Sequence, residues 1–152
     1  MRARTSVVRL SLPVKRIKSM RELPHTPERV FDFLSDLHNH WQLEDSFIAV
    51  NGVGNGGGRI LIRGPLGITR EARTEVVETE APSRLVGRAV LGTTVGEVAW
   101  EIRPEGGGSL VSLSAEVERA SIADRLLLGF GGRAWLRRRF ANVLETLDRR
   151  LG

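Results

Sequence analysis

The chain contains no cysteine and no tyrosine. The first absence excludes a disulfide framework, a thiol nucleophile and a thiolate metal site. The second removes the phenol as a proton donor or acceptor. No apolar run approaches the ~20 residues of a membrane-spanning helix, and Val7-Val8-Arg9-Leu10 is too short and interrupted for a secretory signal. These absences predict a cytoplasmic protein with no stable membrane insertion.

Recognisable catalytic and phosphate-binding motifs are missing too. The glycine run from Gly52 to Gly58 lacks a following Lys-Ser/Thr and leads into a strand. A phosphate loop needs a helix N-terminus at that place, so a hairpin turn is expected. There is no Gly-x-Ser-x-Gly elbow. Three histidines are present, His25, His38 and His40, all near one helical stretch. His38 and His40, with Glu44 and Asp45 nearby, lack a recognised ligand spacing, so neither a metal nor another cofactor is expected. No catalytic set can be assigned from the sequence.

Charge is unevenly placed. Residues 1–21 hold Arg2, Arg4, Arg9, Lys15, Arg16, Lys18 and Arg21 and no acid, leaving 16 basic groups against all 18 acidic ones in the rest. The formal charge of +5 therefore sits in an N-terminal arm and part of the last helix. A nucleic-acid-binding domain needs a continuous basic face, so no nucleic-acid partner is expected. Residues 1–13 read as a basic, solvated arm that Pro13 separates from the first strand, and residues 14–152 as one domain. A chain of 152 residues can bury roughly 70% of its unfolded surface, enough for an independent core.

Thr26 is a good N-cap and Pro27 suits the first helical position; Val30, Phe33, Leu34 and Leu37 then follow at i, i+3, i+4, i+7. This predicts a helix over 27–37, preceded by a strand over 14–23 and followed by a short helix or turn over 38–45. Glycine- and proline-punctuated β-rich runs follow at 47–53, 59–63, 68–80, 84–91, 97–103 and 110–119. Ser121 caps a short apolar stretch, Leu126 to Phe130, which Gly131 and Gly132 interrupt. Leu136, Phe140, Val143, Leu144, Leu147 and Leu151 mark one face of a long closing helix.

Pro27-Glu28-Arg29-Val30-Phe31-Asp32-Phe33-Leu34-Ser35-Asp36, followed by Trp41, resembles the N-terminal signature of the START-like superfamily. That superfamily is also called SRPBCC or Bet v 1-like, and the match is to its polyketide cyclase/dehydrase group. The order of elements resembles that group too, from about Val14 to Leu151. The resemblance implies an α+β helix-grip fold, with a curved antiparallel sheet around a long C-terminal helix and short helices after the first strand. It also implies a hydrophobic cavity between sheet and helix.

Alternation assigns candidate liners to that cavity. Val98, Trp100 and Ile102 alternate with Glu97, Glu101 and Arg103, while Leu113 and Ala115 alternate with Ser112, Ser114 and Glu116. Period-2 patterning of this kind separates a buried from a wet face, so Ser112 and Ser114 are expected in solvent. Ile60 and Ile62, then Ala72, Thr74 and Ala89, supply further apolar or small positions on the strands. Trp41 and Phe47 precede the second strand; Phe130, Trp135 and Phe140 come from the C-terminal helices. Small residues at these positions fit either a ligand cavity or a close-packed core. Arg70, with apolar neighbours at i±2, reads either as a polar anchor inside the cavity or as a rim residue that snorkels.

His40 is a candidate general base at the cavity mouth, since its ordinary pKa suits the task. The glycine-hinged stretch after Ser121 reads as a lid, a membrane-touching lip or a simple kink. Three functions remain open: binding of a polyketide-, aromatic- or lipid-like molecule, a cyclase/dehydrase-type reaction, and a protein- or ribosome-interaction module using the basic arm.

Overall fold

The structure, a computed structural model, describes residues 16–36, 39–40, 42–43, 47–51, 57–64 and 67–152, with 47–51 described by backbone alone. Residues 1–13 of the expected arm, Leu37, His38 and Trp41 lie outside the described residues.

Strand β1 (Ile17–Leu23) leads into helix α1 (Pro27–Ser35). The Thr26 side chain accepts a hydrogen bond from the Arg29 amide at 3.3 Å, so this helix begins where its capping residue demands. It ends earlier than expected, because Asp36 is already extended (φ −87°, ψ 110°). The buried face is Val30, Phe31 and Leu34, with Phe33 partly buried against the same core.

Six strands follow: β2 (Phe47–Asn51), β3 (Gly57–Arg63), β4 (Thr69–Glu80), β5 (Arg84–Leu91), β6 (Thr94–Glu105) and β7 (Gly108–Arg119). They form an antiparallel meander that β1 completes by pairing with β7, giving the order β1-β7-β6-β5-β4-β3-β2. β6 and β7 run further than the sequence suggested. Gly106 and Gly107 both take positive φ (53° and 86°), and Glu105 pairs with Gly108, so two residues make the whole turn. Register shifts between Val76 and Glu78 in β4 and between Val95 and Gly96 in β6 bend the sheet.

Helix α2 (Ile122–Leu127) starts on the Ser121 cap, and helix α3 (Arg133–Leu151) crosses the sheet. Between them Phe130 (φ −108°, ψ 45°) and Gly131 (φ 102°) leave helical geometry. Phe140, Val143, Leu144, Leu147 and Leu151 of α3 pack with Ile17, Leu34, Ile102, Val111 and Leu113 to form the core. Polar ties hold the helix in place: the Ser19 hydroxyl donates to the Arg137 carbonyl at 3.0 Å, Arg21 bonds Asp148 at 3.1 Å, and Arg29 bonds the Leu151 carbonyl at 2.6 Å. The architecture is the α+β helix-grip arrangement expected from the sequence.

Strand parity agrees with the alternation, with one correction. Ser112 and Ser114 are buried, at 6% and 4% exposure, although they lie on the face away from α3. Register places Ser112 between Met20 and Glu101, and Ser114 between Lys18 and Ala99. A small hydroxymethyl group in the middle of a sheet is shaded by longer cross-strand neighbours, Met20 and Glu101 for Ser112 and Lys18 for Ser114.

Candidate ligand-binding cavity

The sheet holds its small residues where α3 would otherwise have to fill space. Register sets Thr74, Ala89 and Gly96 side by side across β4, β5 and β6, and Val76, Gly87, Val98 and Ala115 side by side from β4 to β7. Glycine and alanine at the centre of these rows leave a cavity of about 420 Å³ between the sheet and helices α2 and α3. Its surface is overwhelmingly apolar.

Most sequence-chosen residues border this one space. Ile60, Ile62, Arg70, Ala72, Thr74, Ala89, Val98, Trp100, Leu113, Ala115, Trp135 and Phe140 all line it. Ile102 does not: it is 2% exposed but belongs to the solid core with α1 and α3. Two residues earlier Trp100 still faces the gap; by Ile102 the helices have closed onto the sheet. Phe130 is also corrected, because the non-helical turn after α2 turns it outward to 84% exposure. Trp41 lies outside the described residues, as does the side chain of Phe47. The sequence reading missed Leu43, Val76, Leu85, Asp124, Leu127 and Val143 as liners. For Val143 the heptad-like spacing was a usable signal; for Asp124 there was none beyond its place in a cap.

Arg70 is inside the cavity wall and already engaged. Its guanidinium bonds Asp124 at 2.7 Å and the Leu91 carbonyl at 3.2 Å. Asp124 sits in the first turn of α2, where its amide donates to the Ser121 hydroxyl at 3.1 Å and its second oxygen accepts from the Thr94 hydroxyl. The Ser121 amide in turn donates to Thr94 at 3.1 Å. Burial pushes the Asp124 carboxyl up, but hydrogen bonds from Thr94 and Arg70, the Arg70 charge and the Ser121 bond together hold it below the usual carboxylate range. The ion pair thus pins α2 to the ends of β4, β5 and β6.

His40 also borders the cavity, its ring meeting Trp100 edge-on at 5.7 Å and 63°. Burial lowers its pKa from 6.5 to about 4, against a Leu34 backbone hydrogen bond and the Asp36 charge, which both raise it. The imidazole is therefore neutral at pH 7, but the same burial makes it a weaker base than the ordinary pKa expected from the sequence. Charged residues such as Arg63, Arg88, Glu97 and Arg139 border the cavity as well, the last stacked on Trp135 at 5.1 Å. Among the described residues no group of three His, Asp or Glu side chains comes together as a metal site, and no helix is long and apolar enough to cross a membrane.

The sequence matches the family described as polyketide cyclase / dehydrase and lipid transport over residues 15–152. The chain belongs to this family. The resemblance carried by residues 27–36 and Trp41 is therefore a true kinship. No curated protein matches the chain in sequence. Among solved structures, the fold is similar to TTHA0849 from Thermus thermophilus (19% identity, 90% of this chain and 97% of that one, TM-score 0.69). It is also similar to the KanY protein (16% identity, 92% and 99%, TM-score 0.73). A third similar structure is DynU16, from the dynemicin biosynthetic locus (16% identity, 91% and 48%, TM-score 0.63). Identities this low speak to fold alone. Family and fold are compatible with ligand binding or with cyclase activity.

Proposed function

We propose that the protein binds a hydrophobic or amphipathic small molecule, of polyketide-, aromatic- or lipid-like character, between its sheet and helix α3. The observation that carries this reading is the apolar cavity of about 420 Å³. That volume falls in the range of pockets for small organic ligands, which are mostly apolar with a few placed polar groups. Here those groups are the Arg70–Asp124 pair and the neutral His40. The family's description, with both polyketide and lipid chemistry in it, supports the same ligand classes.

The test is native mass spectrometry of freshly purified protein, followed by titration with an apolar fluorescent probe. Wild type should carry or take up one apolar molecule. Ala89→Leu, which fills the centre of the cavity, should weaken uptake at least about tenfold, because overpacking removes the space rather than a bond. Equal uptake by both proteins would sink the reading.

A cyclase- or dehydrase-type enzyme is the second reading, and His40 favours it. Its imidazole borders the space a folded polyketone would occupy and, though burial makes it a weak base, can relay a proton from an acidic carbon to a leaving hydroxyl. Loss of water from a bound poly-ketone substrate, abolished by His40→Leu with binding retained, would move the protein into that class.

A further inference from the structure

Helix α2 faces two ways. Its inner face gives Asp124 and Leu127 to the cavity wall. Its outer face presents Ile122 at 77% exposure and Leu126 at 55%, and Phe130 follows in the turn at 84%. Ile68, 46% exposed and bordering the same cavity, lies two residues before the Arg70 that bonds α2. Scattered exposed apolar residues need no explanation, but several gathered on one helix and its adjoining turn mark a docking surface.

The charge along this stretch of the chain selects the partner. From Arg119 to Arg139 the chain has six arginines and one acid, Asp124. That acid is 8% exposed and faces inward to Arg70, so it offers no negative charge outward. Arg119, Arg125, Arg137 and Arg138 are exposed. A second copy of the chain would bring arginine against arginine, whereas an anionic bilayer offers an apolar layer beneath negative headgroups. Apolar residues flanked by arginine are what interfacial helices use to lie on such a surface.

We propose that the outward face of α2 and the turn after it docks onto an anionic lipid bilayer, with Ile122, Leu126 and Phe130 entering the headgroup layer. The Arg70–Asp124 bond keeps α2 oriented for this contact, one side to the cavity and the other to lipid. Docking does not depend on the cavity being occupied.

Co-sedimentation of the full chain with phosphatidylcholine vesicles, with and without phosphatidylglycerol, tests it. Wild type should bind the phosphatidylglycerol vesicles and lose most of that binding in high salt, because surface charges are screened. The double variant Leu126→Ser, Phe130→Ser should bind at least about tenfold more weakly, since two apolar side chains no longer leave water. Arg125→Glu should weaken binding too. Both serine sites are exposed, so circular dichroism and melting should match wild type; Ile122→Ser serves if the double variant fails to fold. Ala89→Leu should still bind vesicles, which separates docking from ligand uptake. Absence of wild-type binding, equal binding by the serine variants, or loss of binding in Ala89→Leu overturns the proposal. So does a wild-type dimer that Phe130→Ser dissociates, which would give the stripe to a second copy.

Discussion

Asp124 and His40 show two opposite ways in which this fold treats a titratable group. Asp124 is kept ionised by its partners, so its contribution is present above the ordinary carboxylate pKa of 3.8 and is lost as pH falls through the lower folded value. Asp124→Asn should therefore cost about 1–3 kcal/mol at pH 7, the scale of a buried charge-assisted bond, and the gap to wild type should shrink in acid. Urea unfolding at pH 7 and at pH 3 measures both. His40 is kept neutral by burial. With the folded pKa at about 4 and the unfolded at 6.5, its contribution is complete above pH 6.5 and declines as acid protonates the unfolded chain first. The loss reaches about 3 kcal/mol by pH 4. Melting curves of His40→Leu should be flatter than wild type over that window; parallel curves would show that His40 takes no part. The apolar i±2 neighbours of Arg70 left both an inward and a rim position open in the sequence. Its partner was not legible at all, since 54 residues separate the two and the direction of α2 is set only when it docks.

At the scale of elements, what the sequence reveals depends on how local the cause is. The Thr26 and Ser121 caps, the strand alternation and the apolar stripe of α3 act over a few residues, and all appear where expected. Burial of Ser112 and Ser114 depends on which strands become neighbours, so alternation alone put them in water. The sequence offers Phe130 as a cavity liner, but Gly131 lets the chain turn it out. Gly132 has a stricter role: a β-carbon there would meet the Leu127 carbonyl oxygen at 2.5 Å. Gly132→Ala should push α2 and α3 apart and cost about 1–3 kcal/mol. Faster amide hydrogen exchange in α2, with β6 and β7 unchanged, would place the damage at the kink; equal loss throughout the sheet would contradict it.

For the whole molecule, an apolar cavity of about 420 Å³ is packing that the protein forgoes in the absence of ligand. A ligand held at ~100 times its Kd should add about 2.7 kcal/mol to stability and raise Tm by roughly 5–10 °C. Melting with a panel of apolar and amphipathic compounds reads this directly, and a panel with no shift would count against the cavity as a binding site. The sheet order carries a different consequence. Every neighbouring pair from β2 to β7 is consecutive in the chain, but β1 lies against β7, with Ile17 opposite Ala115. On the ribosome, β1 is among the first described segments made and must wait until β2 to β7 have been synthesised before its partner exists. The meander can zip hairpin by hairpin, while the closing of β1 and α3 has the longest loop to close. For β1 alone the order of birth and the order of pairing are reversed, and an unfinished chain exposes the edge of β7 for as long as β1 has not returned to it.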